Sequence, residues 1–369
     1  MAKKNITQLD LFSGIGGFHL GFEKAGFKVK SYFSEVDKHA VAVYKHQFKD
    51  AEYVGSVTDV RGEQLPKIDL ITFGSPCQDF SLAGKRRGME GARSSLILEA
   101  IRLINECRPS VFIWENVKGT FSSNNGADFW AIIQAFTNIG GYRLEWQLLN
   151  TSWVLPQNRE RIYLVGYSAK PGRNWRGVFP IGESSRAYND SPGGKNQTAH
   201  TLTKQYFSST SQGTYIGERN EVPQVATDIR GNEQIATIRT SGRGSLTAKH
   251  SWDIVKVKSA TKQGYEVAEE GDGINLTGRP IRGRVGKKRC QTLDTSCQHG
   301  VLQPNYRIRR LTPIECERLQ GFPDNHTAYG IYDGEVKKVS NTQRYKQCGN
   351  AVTVDIVALV AEAVKPLFK

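Results

Sequence analysis

Ile6-Thr7-Gln8-Leu9-Asp10-Leu11-Phe12-Ser13-Gly14-Ile15-Gly16-Gly17 changes its period part-way along. Residues 6–12 form an apolar run of strand length, and residues 13–17 hold three glycines. After them Phe18, Leu20, Phe22 and Ala25 recur at roughly helical spacing until Gly26 stops the pattern. Strand, glycine turn and helix in that order make the opening unit of an α/β sheet. Glycines at such a turn let a ligand approach the backbone at a helix N-terminus, although a plain βα turn reads the same way. The G-x-G-x-x-G spacing of dinucleotide binders is absent, which argues against a hydride-transferring enzyme.

The same alternation continues outward to residue 169. A short β-rich run at 29–33 is followed by Glu35 and Asp37, and residues 40–48 read as a helix. A buried-type strand at 68–73 ends in Gly74-Ser75-Pro76-Cys77. An amphipathic helix over 95–107, a strand at 111–114 ending at Glu115-Asn116, a helical stretch at 132–139 and a strand at 161–166 follow. This rhythm predicts a doubly wound α/β sheet. In such sheets ligands bind beyond the carboxyl ends of the strands, where Glu35 is placed for ribose hydroxyls.

Three groups at strand ends carry candidate chemistry. Cys77 stands behind Pro76, which fixes the chain, and before a run with Gly84, Gly88, Gly91, Lys85, Arg86, Arg87 and Arg93 that would close over a polyanion. A buried structural cysteine is the competing reading. Glu115 follows an apolar strand, where a carboxyl group can be shifted toward holding a proton; a solvated or capping Glu is the alternative. Arg159 and Arg161 flank Glu160, and alternate residues of a strand share a face, so the two guanidinium groups point together toward a base carbonyl or a phosphate. A surface ion pair would look the same.

The 369 residues carry a net charge of +14, unevenly placed. Residues 170–310 hold 23 Lys and Arg against 12 Asp and Glu, which suits a polyanion because each neutralised phosphate releases counterions. Residues 170–305 are rich in Gly, Ser, Thr, Gln and Asn, with short β-type runs such as 234–238 and 254–257, and read as irregular and mostly β. Helical pattern resumes at 312–319 and 352–364. The six cysteines, at 77, 107, 290, 297, 316 and 348, form no C-x-x-C pair, so free thiols in a reducing compartment are expected, with no metal. The opening MAKKNITQ lacks a signal-type apolar run, and the apolar stretch 351–367 is too short and too charged to span a membrane. A soluble, cytoplasmic chain with no membrane partner is the expectation.

The ordered motifs resemble those of the bacterial and phage cytosine-5 DNA methyltransferases. Residues 10–18 look like their cofactor motif, Gly74-Ser75-Pro76-Cys77-Gln78 like their catalytic loop, Glu115-Asn116-Val117 like their glutamate motif, and Gln157-Asn158-Arg159-Glu160-Arg161 like their arginine motif. Arg310-Leu311-Thr312-Pro313, with Glu315, Cys316, Arg318 and Gln320-Gly321-Phe322-Pro323, is similar to the block that supports their target domain. Gln347-Cys348-Gly349-Asn350-Ala351-Val352 is similar to their last motif, which returns to the cofactor. Two positions depart from the pattern: Ser56 follows Gly55 where the family often has Asp, and Ala351 stands where the last motif usually has Ser.

The resemblance implies a Rossmann-like methyltransferase domain built from residues 1–169 and 306–369, with a smaller target recognition domain at 170–305. It implies S-adenosylmethionine as cofactor, S-adenosylhomocysteine as product, and a cytosine flipped out of duplex DNA as substrate. Cys77 would add to the base, assisted by Glu115, Arg159 and Arg161. The cofactor would contact Phe12, Ser13, Gly14, Ile15, Gly16, Gly17, Glu35, Val36, Ser56, Val57, Pro76, Leu96, Asn350, Ala351 and Val352. DNA would meet Gln78, Ser81, Lys85, Arg93 and Thr292. The expected partner is double-stranded DNA, the expected state a monomer, with any cognate restriction endonuclease acting separately. An RNA cytosine methyltransferase of the same superfamily is the alternative; the long segment 170–305 favours DNA.

Overall fold

The computed structural model describes residues 3–75, 95–168, 177–181, 255–277, 282–303 and 307–368. Pro76, Cys77, Gln78, Ser81, Lys85, Arg93 and the β-type run 234–238 lie outside the described residues. The chain divides into two compact units. One comprises Met1–Thr201, Thr292–Cys297 and Thr312–Lys369; the other comprises Leu202–Gln291 and Gln298–Leu311.

The first unit is built on a seven-stranded sheet. Its strands are β1 (Lys4–Leu11), β2 (Phe27–Ser34), β3 (Glu52–Tyr53), β4 (Leu70–Phe73), β5 (Val111–Val117), β6 (Tyr142–Asn150) and, after the two-residue β7 (Gln157–Asn158), β8 (Glu160–Ser168). Their order is β3-β2-β1-β4-β5-β8-β6. The first five run parallel, and β8 pairs antiparallel with β5 and with β6. The chain order reverses between β1 and β4, so a crevice opens at the carboxyl ends of those strands.

Both faces of the sheet are covered, as β5 shows. Val111 and Ile113 join the core formed with α1 (Gly17–Lys24) and the last helix, through Phe18, Phe22, Val357 and Val360. The intervening Phe112 and Trp114 meet Phe136 of α4 (Ala127–Asn138) on the opposite face. Successive strand residues point to opposite faces, so a run buried on both sides reads as uniformly apolar. The helices α2 (Lys38–Gln47) and α3 (Ser95–Cys107) complete the alternation, with Asp37 capping α2 through His39 N and Ala40 N. The expected doubly wound α/β sheet is therefore present.

The last part of this unit holds α5 (Pro313–Leu319), the hairpin β16 (Tyr329–Tyr332) and β17 (Glu335–Lys338), α6 (Asn341–Asn350) and α7 (Val354–Val364). A capping box between Thr312 and Glu315 starts α5. Glu317, fully buried, accepts from Asn325 N, Thr327 N and Arg344, and so fixes α6 to α5. The apolar stretch 351–367 packs as core, with Val354, Ile356, Val357, Val360, Ala361 and Val364 buried.

The second unit contains β9 (Val255–Lys258) paired with β10 (Tyr265–Ala268), the short β13 (Cys290–Gln291), and a four-stranded sheet of β11 (Gly273–Asn275), β12 (Val285–Gly286), β14 (His299–Leu302) and β15 (Ile308–Arg310) in the order β12-β11-β14-β15. Its core is small, formed by Val255, Val257, Ala268, Ile274 and Leu302. Part of its positive charge braces the unit from within. Arg284 donates to Asn275 O and Lys258 O, and Lys287 pairs with Asp272.

Candidate active site

The crevice beyond β1, β2, β4 and β5 encloses about 440 Å³. Its floor is the turn after β1. Phe12 (φ 51°) and Gly14 (φ 54°) both take the left-handed conformation, which costs a side-chain-bearing residue such as Phe12 on the order of 1–2 kcal/mol. A Cβ on Gly14 would meet nothing within 4 Å, so the backbone there is open to a ligand. Gly16 and Gly17 serve packing instead: a Cβ would come within 2.3 Å of the Phe48 ring at Gly16 and 2.6 Å of Val352 at Gly17.

Glu35 ties this turn to the end of β2. One carboxylate oxygen accepts from Gly14 N at 2.9 Å; the other accepts from Val36 N and Asp37 N at 2.8 and 2.9 Å. Asp37 accepts in addition from Lys346 at 2.6 Å, which bridges α6 to the start of α2. Val36 is 77% exposed and gives the crevice an apolar wall.

Asp10 lies beneath the turn, fully buried. Thr72 Oγ1 donates to one of its oxygens at 2.7 Å and Tyr44 OH to the other at 3.4 Å. Burial, reinforced by the charge of Glu35, pushes its carboxyl group up to about 8. A carboxyl group whose folded pKa exceeds its unfolded value of 3.8 stabilises the fold fully only below that value, and the stability is lost as pH rises toward 8. Asp10→Asn should therefore gain stability relative to the parent as pH is raised across that interval. Urea midpoints of both proteins at acidic and alkaline pH measure this; parallel pH curves would contradict it.

On the other side of the crevice stand Glu115 and Arg161. They are diagonal neighbours on one face of the β5–β8 pair, since Glu115 is opposite Tyr163 and Arg161 opposite Val117. Arg161 Nε lies 3.1 Å from Glu115 Oε1, with side-chain exposures of only 15% and 10%. The contact is an ion pair without hydrogen-bond alignment, and Glu115 Oε1 has no hydrogen-bond partner among the described residues. Glu115 Oε2 leans on Gly74, where a Cβ would sit 3.2 Å away. Trp114 Nε1 donates to Ser75 Oγ at 3.0 Å, holding the residue two positions before Cys77.

Arg159 lies between β7 and β8, so it does not share the strand face with Arg161 that the sequence predicts; it lines the same crevice, but its Nη groups donate to main-chain carbonyls of Leu293, Gly349 and Ala351. It clamps α6 and residues 292–297 to the arginine segment. Burial, with Arg161 beside it, lowers its pKa to about 10, so it stays cationic at neutral pH. Thr292 donates to Asn158 O at 2.8 Å and lines a second cavity of about 270 Å³ beside Arg161 and Lys118.

The crevice thus gathers Phe12, Gly14, Ile15, Glu35, Val36, Ser56, Val57, Leu96, Glu115, Arg159, Arg161, Asn350 and Ala351. Ser13, Gly16, Gly17 and Val352 do not line it. Residues given no contact in the sequence reading also line it: Asp37, Asn116 and Gln347, which are named there without a role, and Lys346, which is not. Gln347 had a readable signal, since it lies three residues before Asn350 on one helix face.

The family profile described as C-5 cytosine-specific DNA methylase matches residues 6–366. The chain is 29% identical to the orphan methyltransferase M.SPRI of Bacillus phage SPR, over 95% of each protein. It is 30% identical to the type II methyltransferase M1.ScrFI of Lactococcus lactis subsp. cremoris, over 96% of this chain and 76% of that protein. Similar solved structures are the methyltransferase EhMeth of Entamoeba histolytica (TM-score 0.57, 17% identity, 100% of both chains) and the Dnmt2 methyltransferase of S. pombe (TM-score 0.56, 17% identity, 98% and 99%). These two show the fold, a Rossmann-like methyltransferase α/β sheet.

Proposed function

The chain belongs to the C-5 cytosine-specific DNA methylases, and from that premise we propose that it moves a methyl group from S-adenosylmethionine to carbon 5 of a cytosine flipped out of duplex DNA, with Cys77 as covalent nucleophile. The observation that carries this reading is the buried Glu115–Arg161 pair, whose Glu115 leans on Gly74, three residues before Cys77 in the chain, and which shares one crevice with the glycine turn and Glu35.

The crevice residues fit the cofactor. The open backbone at Gly14, the carboxylate of Glu35 and the exposed Val36 match a backbone contact, ribose hydroxyls and a flat ring. Ser56, Val57, Leu96, Asn350 and Ala351 complete the wall. When bound, S-adenosylmethionine supplies an electrophilic methyl group on a sulfonium.

Cytosine C5 is a poor nucleophile on its own. The Cys77 thiolate adds to C6, and the electron pair of the C5–C6 double bond is released into the ring. Glu115 donates a proton to N3 and accepts from the 4-amino group, while Arg161 holds O2. Arg159 acts by positioning, through the carbonyls it clamps. Carbon 5 would then be open to methylation with S-adenosylhomocysteine as leaving group; its proton passes to water, N3 returns its proton to Glu115, and the bond to Cys77 breaks to restore the thiolate. The reaction needs the base outside the duplex, because neither C6 nor N3 is reachable within the stack. Gln78, Ser81, Lys85, Arg93 and Thr292 would meet the DNA.

Target choice falls to the basic segment 170–305 in this reading, since the crevice acts on any flipped cytosine. In this reading the protein works as a monomer in the cytoplasm, on DNA, with any cognate restriction endonuclease acting separately. The test is methyl transfer to duplex DNA and to tRNA, followed by bisulfite sequencing. Protected cytosines within one recurring DNA sequence are expected; label in tRNA alone would establish the RNA alternative instead.

A further inference from the structure

His326 is buried and takes no part in the chemistry, yet it reaches the turn after β1 from 311 positions along the chain. Its Nε2 lies 2.8 Å from Ile15 O. A main-chain carbonyl only accepts, so Nε2 carries a proton and donates it. Burial lowers the pKa of the ring to about 4, so at neutral pH the donor is an uncharged imidazole. The ring packs against Phe322, with centroids 4.5 Å apart. The chain on either side of it is pinned. Asn325 N and Thr327 N donate to the buried Glu317 at 2.8 and 2.9 Å, and Gln47 donates to His326 O at 2.6 Å. The donor is thus held in place before any ligand arrives.

The turn needs such a tether. Phe12 is left-handed at φ 51°, and strained backbone persists only where its surroundings hold it. Glu35 ties Gly14 N to the end of β2, and His326 ties the carbonyl of the next residue to the segment after α5. Ile15 lines the crevice; His326 does not. We infer that His326 is a positioning residue for the cofactor: its hydrogen bond to Ile15 O keeps the turn in the shape that the cofactor binds, without touching the cofactor itself. This rests on the reading of the crevice as an S-adenosylmethionine site. Without the bond the free turn relaxes and binding must first restore it, so the apparent affinity falls with the fraction of chains still competent.

The experiment is calorimetric titration of the full chain with S-adenosylhomocysteine, beside methyl transfer at varied S-adenosylmethionine. His326→Phe keeps a ring and removes the donor. It should weaken S-adenosylhomocysteine about fivefold or more, the scale of one buried hydrogen bond, and raise KM for S-adenosylmethionine alike. At saturating cofactor kcat should stay within about twofold of the parent, with DNA affinity unchanged. His326→Gln, whose amide nitrogen reaches the place of Nε2, should restore most of the affinity. Parental affinity in the phenylalanine variant, or equal losses in both variants, would overturn the assignment. So would affinities for S-adenosylhomocysteine and DNA that fall together, which would mark a general loss of structure. If the parent protein does not bind S-adenosylhomocysteine, the cofactor reading itself falls, and this inference with it. Should the phenylalanine variant lose its cooperative melting transition, His326→Asn, whose shorter amide stops before the carbonyl, carries the same comparison with glutamine.

Discussion

Cys77→Ser is expected to lower the rate of methyl transfer to duplex DNA on the order of 10³-fold or more, because the nucleophile is removed and not merely misplaced. A cysteine with an ordinary pKa near 8.5 holds a few per cent thiolate at neutral pH, whereas a serine hydroxyl without an activating base holds essentially none. The substitution takes away no charge and little volume. Binding of S-adenosylhomocysteine and of DNA should therefore stay close to the parent, so the loss appears in the single-turnover rate. A serine variant that transfers methyl at nearly the parental rate would show that Cys77 does not form the covalent bond.

Glu115→Gln should cost about 10²–10⁴-fold in the same rate, the usual scale for removing a positioned proton donor. Glutamine keeps the shape that leans on Gly74, and its amide oxygen can face Arg161 as Glu115 Oε1 does. What it cannot do is deliver a proton to N3 and then accept from the 4-amino group. Affinity for DNA should change little, and thermal unfolding should remain cooperative. Single-turnover rates and filter binding on one preparation separate these effects. A rate within about threefold of the parent would remove Glu115 from proton transfer.

The parts of the fold that were legible in the sequence are those whose signal is local. The switch of period at residues 12–18 marks β1, its turn and α1, and α3 has the bounds its amphipathic pattern predicts. Strand β6 is different. Its Glu145 is 2% exposed and reads as a surface residue, but it accepts from Tyr167 OH and from the backbone of Val178 and Phe179, more than twenty positions away. Burial of that kind depends on partners that a window of sequence does not contain. Strand β5 also runs on to Val117, three residues past the apolar run at 111–114, so Glu115 sits inside a paired strand with its carboxylate in the crevice.

The site shows the same division. Glu115, Arg161, Gly14 and Glu35 were recognisable from residue type at a strand end, because strand ends are where this topology opens a crevice. Arg159 looked equivalent to Arg161, yet its donors meet carbonyls of Leu293, Gly349 and Ala351, at least 134 positions away. Gln347 falls within the last motif, where the sequence reading gives it no contact of its own; that its buried amide has no hydrogen-bond partner among the described residues is a fact of packing alone.

The central claim is a covalent bond between Cys77 and C6 of the target cytosine, and one measurement addresses it directly. Duplex DNA carrying 5-fluorocytosine at the methylated position is incubated with the protein and S-adenosylmethionine, and the digest is examined by mass spectrometry. Fluorine cannot leave carbon 5 as a proton does, so elimination is blocked and the adduct accumulates. The account predicts a stable protein–DNA adduct whose modified peptide contains Cys77. An adduct on another residue, or methyl transfer to the unmodified duplex with no adduct on the fluorinated one, would contradict it.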